Sequence, residues 1–215
     1  MEDLTGCSLD RAVAELRSGA LLAYPTETLF GLGADGRCPK AVEQLCSWKG
    51  RVPENPLPIL VEGSEALARL GVELSPFPRK LAEAFWPGPL MLVLPCAEIF
   101  APGVARQDGA VGFRCSAHPL AAALARRVAR EGIGPLTATS LNRSGEPPAR
   151  TLSEAARCCD GQPGSPILMG APDVEAGGGI PSSVLDLTGS EPRMLREGAI
   201  SSAEIAAVIV KVGSE

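Results

Sequence analysis

The side chains best suited to chemistry fall in four short stretches. Tyr24-Pro-Thr26-Glu-Thr28 sets two hydroxyls and a carboxylate at the end of an apolar run, ahead of Leu-Phe-Gly31-Leu-Gly33. Ligands of open α/β sheets bind at such strand ends. Lys49-Gly50-Arg51, followed by Asn55, flanks a glycine with two cations. Lys offers a point charge and Arg a two-pronged fork, a pair suited to phosphate and equally to a helix C-terminus. Thr137-Ala138-Thr139-Ser140-Leu-Asn142-Arg-Ser144-Gly145 brings Ser140 and Asn142 to one side of a strand end. Small donors of that kind bind phosphate or ribose oxygens. Pro181-Ser182-Ser183-Val184-Leu-Asp186 adds hydroxyls, and Arg114 and Arg196 add isolated cations. Taken singly, each stretch also reads as a capped turn or a solvated face.

Other patterns lead nowhere. Gly31-Leu-Gly33-Ala-Asp-Gly36 matches G-x-G-x-x-G, but a dinucleotide fold needs a helix opening inside it, and the helix here starts only at Pro39. No Walker A or G-x-S-x-G pattern occurs. Cys115 and His118 lie close enough for a nucleophile pair, though a buried thiol and a helix-start histidine is the simpler reading. His118 is the one histidine, which excludes H-E-x-x-H and two-histidine metal sites.

Composition bounds the rest. The chain has 215 residues, enough for one α/β domain with a sizeable core. Its 24 glycines and 20 prolines argue for many tight turns and against a helical bundle. A formal charge of -5 removes any global nucleic-acid footprint. Seven scattered cysteines without a C-x-x-C pattern suit a reducing cytoplasm. No apolar stretch reaches the roughly 18 residues of a membrane span, and the polar N-terminus is not a secretory signal.

The elements that must position these residues alternate irregularly. Helices are expected from Leu9 to Ser18, Pro39 to Lys49, Ser64 to Leu70, Pro76 to Phe85, Pro119 to Arg130, Ser153 to Cys158 and Ser202 to Val212. Strands are expected at Ala20 to Tyr24, Leu57 to Val61, Leu90 to Leu94, Val111 to Arg114, Leu136 to Thr139, Ile167 to Met169, Ser183 to Leu187 and Arg193 to Arg196. Thr26 to Gly36 reads as a turn, and Gly177 to Gly179 as a mobile flap. The order implies one α/β domain with a mixed sheet flanked by helices.

Taken together, PTET-x-x-GLG, K-x-R-x-x-x-N-P-L, W-P-G-P, GFR, TS-x-N-x-SG, PSS-x-x-D and LR-x-G resemble the YrdC-type threonylcarbamoyl-AMP synthases from about Ala12 to Gly198. The resemblance implies a twisted mixed sheet with an open, positively charged concave face. It places a YrdC-like domain at 5–200, with 201–215 as its C-terminal helix and tail, in the single-domain form. It implies synthesis of threonylcarbamoyl-AMP from L-threonine, bicarbonate or CO2, and ATP with Mg²⁺, and release of pyrophosphate. The product would feed a downstream complex that modifies adenosine 37 of tRNAs reading ANN codons, with a tRNA contact on the same face; the alternatives are a double-stranded RNA or tRNA-binding module, or a related carbamoyl or adenylyl transferase with a different acceptor.

By position, Lys49 and Arg51 would be the catalytic cations and, with Asn55, would hold the triphosphate. Ser140, Asn142 and Arg196 would contact the adenylate. Thr26, Thr28, Arg114, Ala138 and Ser182 would shape the threonine pocket, with Arg114 receiving the carboxylate. No protein metal cage is implied, since Mg²⁺ would ride on ATP. The chain departs from the family at Val52, Leu60 and Ser116, where the family usually has Pro, His and Pro. As exposed cations, Lys49 and Arg51 are expected to be replaceable without unfolding the protein.

Overall fold

A computed structural model describes residues 8–51, 55–170 and 177–212. Val52 and residues 171–176 lie outside that set.

Local signals account for most element boundaries. The first helix, α1 (Leu9–Arg17), buries Ala12, Val13 and Leu16, and the Ser8 hydroxyl accepts from Arg11 N–H at 3.3 Å. In α2 (Pro39–Lys49), proline opens the first turn, where its missing N–H costs nothing. Gly50 ends it at φ 61°, a left-handed conformation that only glycine adopts freely. The other helices are α3 (Glu65–Arg69), α4 (Pro76–Phe85), α5 (Pro119–Arg130), α6 (Leu152–Cys158) and α7 (Ser202–Val212).

The strands form two mixed sheets. The first, in the order β6-β2-β1-β7, joins β1 (Leu22–Pro25), β2 (Phe30–Gly33), β6 (Thr139–Ser140) and β7 (Ile167–Leu168). The second, in the order β3-β5-β4-β8-β9, joins β3 (Ile59–Leu60), β4 (Leu90–Pro95), β5 (Ala110–Arg114), β8 (Ser183–Asp186) and β9 (Arg193–Arg196). The single sheet read from the sequence is thus two, and the segment around β6 stitches them. Leu60 N–H donates to Leu136 O at 2.8 Å, Ala138 N–H to Pro58 O at 2.7 Å, and Thr137 N–H to Ala34 O at 2.9 Å. Serving two partners, 136–140 is regular strand only at Thr139–Ser140.

Burial follows the pleat. Leu21 and Ala23 enter one apolar cluster with Ala41, Val42 and Leu45 of α2. Leu22 and Tyr24 enter another with Val13 and Leu16 of α1 and Leu124 and Val128 of α5. Covered on both faces, this strand is a continuous apolar run rather than an alternating one.

Phe30–Gly33, expected to be turn, is the strand β2, paired antiparallel with β1. Its glycines have a packing reason. A Cβ on Gly31 would lie 2.8 Å from the Tyr24 ring, and one on Gly33 would lie 2.7 Å from the Leu136 side chain.

One buried carboxylate ties the far end of the second sheet. Asp186 is 3% exposed and accepts from Arg106 Nη1 at 2.8 Å, Arg193 Nη2 at 3.1 Å, and both the N–H and hydroxyl of Thr188. Burial works against ionisation, but these donors outweigh it and hold the carboxyl well below the usual range. Asp186→Asn is expected to lower unfolding free energy by about 2 kcal/mol at pH 7, the scale of charge-assisted hydrogen bonds. Because the folded-state pKa is depressed, that contribution is complete above the unfolded value of about 3.9 and fades as pH falls below it. Urea midpoints for both proteins should therefore converge on acidification from pH 6 to pH 3, and a constant gap would show that the charge is not the cause.

Candidate functional site

Two cross-strand rows meet at the site. In the second sheet, β-register sets Leu60 beside Arg114, Arg114 beside Met91, Met91 beside Val184, and Val184 beside Arg196. Directly opposed residues share a face, so the row presents Leu–Arg–Met–Val–Arg across the sheet. In the first sheet, Tyr24 pairs with Gly31 and Gly31 with Ser140. All eight residues line one cavity of about 460 Å³. Thr26, Thr28, Arg51, Ala138, Thr139 and Ser182 are also on its wall. Its cations are Arg51, Arg114 and Arg196, and its wall has no carboxylate among the described residues.

Each guanidinium is held from behind. Arg51 donates through Nε to Asn55 O at 2.7 Å and through Nη2 to Pro56 O at 2.8 Å. Arg196 Nε donates to Ser182 O at 3.0 Å. Burial, and then the charge of Arg114, lower the pKa of Arg196. Arg114 Nη2 donates to Glu27 Oε1 and to Thr28 Oγ1, both at 2.9 Å. Two buried polar atoms of wall residues, Arg114 Nε and Ser182 Oγ, have no protein partner.

The threonine loop is built as a hydroxyl turn. Thr26 Oγ1 donates to Leu29 O at 2.6 Å, accepts from Leu29 N–H, and lies 3.0 Å from Thr28 Oγ1. Gly177 N–H and Gly179 N–H donate to Thr26 O and Thr28 O, each at 3.0 Å. The glycine stretch read as a flap is thus bonded to this loop. Gly177 allows no side chain, since a Cβ there would lie 2.3 Å from Glu27 O.

Three of the sequence-predicted residues are not on the wall. Lys49 is 3% exposed, and its ammonium donates to Ser140 O at 2.7 Å and to Asn142 O and Oδ1 at 2.9 Å. Those three bonds take all its protons. Burial, reinforced by Arg51, lowers its pKa to about 8. The expectation that Lys49 is an exposed cation is therefore corrected: the turn at 140–142 directs two main-chain carbonyls inward, and the ammonium satisfies them. Asn142 is equally committed, with Oδ1 also accepting from Ser140 Oγ and Nδ2 donating to Arg143 O and Glu146 O. Asn55 is exposed, and it is its carbonyl that holds Arg51.

The nucleophile pair also dissolves. Cys115 is 2% exposed, and burial pushes its thiol up to about 11, helped by Glu27. His118 Nδ1 accepts from Leu120 N–H and caps α5. Sequence reading gave no site role to Tyr24 or Met91, named Glu27 only as a strand-end carboxylate, and named Ser116 only as a departure from the family. Their motifs were visible, but the registers and ion pair that recruit them were not.

Residues 14–198 match the Sua5_yciO_yrdC family model, described as telomere recombination. The chain belongs to this family. A Mycobacterium tuberculosis protein named as a threonylcarbamoyl-AMP synthase is 36% identical over 198 residues, covering 92% of this chain and 87% of that protein. The threonylcarbamoyl-AMP synthase of Bacillus subtilis is 37% identical over 203 residues, 93% of this chain and 56% of its own. The crystal structure of Pyrococcus abyssi Sua5 complexed with L-threonine superposes with a TM-score of 0.83 at 35% identity, covering 94% of this chain and 57% of that one. The chain thus spans little more than half of these two longer family members.

The buried ammonium has a measurable consequence. Lys49→Met keeps the stem and leaves two carbonyls unpaired, so it is expected to cost about 2 kcal/mol of stability. Arg51→Ala should cost under about 1 kcal/mol, because the carbonyls of exposed Asn55 and half-buried Pro56 can bond water in its place. Chemical denaturation of the two variants checks this, and equal midpoints would remove the bracing role of Lys49.

Proposed function

We propose that this cavity binds ATP and L-threonine together and that the chain makes threonylcarbamoyl-AMP. The observation that carries the reading is the convergence of Arg51, Arg114 and Arg196 on one wall that has no carboxylate among the described residues. Every reactant is anionic: the triphosphate, the threonine carboxylate and the carbamate. Bringing them together needs fixed positive charge at low dielectric.

The threonine amine would add to CO2, forming a C–N bond and releasing a proton to give the carbamate. A carbamate oxygen would then attack the α-phosphorus of ATP, and the bond to the β-phosphate oxygen would break to release pyrophosphate. No protein nucleophile is required, and catalysis rests on positioning and electrostatics.

In this reading Arg51 meets the triphosphate, with Asn55 fixing it through its carbonyl. Ser140 and Arg196 meet the adenylate, while Lys49 and Asn142 act through the turn that carries Ser140. Arg114 receives the threonine carboxylate beside Thr26, Thr28, Ala138 and Ser182. Leu60, in register with Arg114, gives that pocket an apolar edge. Mg²⁺ would enter on the phosphates, as fits a wall with no carboxylate among the described residues. The product would pass to a cytoplasmic complex that modifies adenosine 37 of tRNA.

The test is mass spectrometry on protein mixed with ATP, Mg²⁺, L-threonine and bicarbonate. A product peak needing both threonine and bicarbonate, with matching pyrophosphate, is expected. Its absence at saturating substrates would overturn the reading. Arg114→Ala should raise the threonine KM by roughly 30–100-fold, as for loss of one partner of a buried charge pair. Ser140→Ala should weaken ATP more than threonine, and the reverse order would exchange the two subsites.

A further inference from the structure

We propose that Glu27 is the positioning residue for Arg114 and that Ser116 holds Glu27 in place; this rests on the reading of Arg114 as the carboxylate receptor. A guanidinium offers five N–H donors in a rigid plane. Two of them, both on Nη2, are committed to Glu27 and Thr28. Those two bonds fix the plane of the group and leave Nε without a partner among the described residues, open to a ligand.

Glu27 is itself fixed at both oxygens. Oε1 takes Arg114, and Oε2 accepts a short hydrogen bond from the Ser116 hydroxyl. Ser116 Oγ also accepts from His118 N–H at 3.2 Å, where α5 begins. A line of contacts therefore runs from the cavity wall through Arg114, Glu27 and Ser116 to a helix end. Glu27 also lies between Thr26 and Thr28, so the loop that supplies the hydroxyls supplies the counter-charge. The Arg114 and Glu27 side chains are 11% and 20% exposed, so the pair is shielded from screening by solvent.

Glu27 is not on the cavity wall. It acts through Arg114 rather than on substrate, which distinguishes it from the groups in the mechanism above. Burial raises the Glu27 pKa, but Arg114 and the Ser116 hydroxyl outweigh it and keep the carboxyl below its ordinary range. Among the described residues, Arg114 is the one cavity arginine with a carboxylate partner; Arg51 and Arg196 bond to carbonyls. The distinction matches their proposed ligands. A nucleotide brings several charges and is met by cations held on carbonyls, whereas a single carboxylate needs one guanidinium in one orientation.

Steady-state kinetics of product formation test this in the full chain. Glu27→Gln keeps the shape and removes the charge. The threonine KM is expected to rise about tenfold, with kcat and the ATP KM within twofold of wild type. Ser116→Ala should move the threonine KM the same way by about threefold. In an Arg114→Ala background, Glu27→Gln should add nothing, because residues acting through one another are not additive. An unchanged threonine KM in Glu27→Gln, equal losses in both KM values, or additivity with Arg114→Ala would each overturn the proposal. If Glu27→Gln does not fold, Ser116→Ala decides by the same threonine-selective rise. A wild type that makes no product would instead count against the function itself, so the two failures are distinguishable.

Discussion

Strand β5 lies between β3 and β4, and its register decides where the site is. Arg114 ends that strand opposite Leu60 on one side and Met91 on the other. Side chains alternate along a strand, so a one-residue slip would turn Arg114 away from Met91 and Val184 and into the packed face. The same logic carries Arg196 onto the row through Val184. At about 4.8 Å per strand, the Cα atoms of Arg114 and Arg196 lie roughly 14 Å apart, with Met91 and Val184 between them. In the first sheet, Gly31 leaves room for the Tyr24 ring on the same cavity wall.

Positive charge is kept by the choice of partners. Lys49, Arg51 and Arg196 are anchored by backbone carbonyls, which orient a cation without cancelling it. Arg114 is the exception, paired with the Glu27 carboxylate, while at Asp186 a carboxylate joins strands. A dipole holds the geometry and leaves the whole field to a ligand, whereas a carboxylate trades part of that field for a fixed orientation.

The parts legible in the sequence were those set by local chemistry. Proline at the first turn and glycine at the end delimited α2, and the periodic apolar residues of α1 and α5 marked their buried faces. Eight of the eleven candidate site residues line one cavity. What was hidden depended on distant partners. Gly31 and Gly33 lower strand propensity, so β2 resembled a flexible turn, yet the Tyr24 and Leu136 side chains require those glycines. Lys49 looked like a helix-end cation because nothing in its neighbourhood of sequence announces the carbonyls of residues 140 and 142. The split into two sheets had the same origin, since 136–140 serves partners from both.

The amides of Gly177 and Gly179 are bonded to the carbonyls of Thr26 and Thr28, about 150 residues earlier in the chain. Neither amide can trade its proton with solvent until that contact opens. Deuterium uptake at these two glycines is therefore a clock for excursions of the hydroxyl loop, read at positions with no side chain of their own. Two stretches remote in sequence report, and inherit, a single local stability.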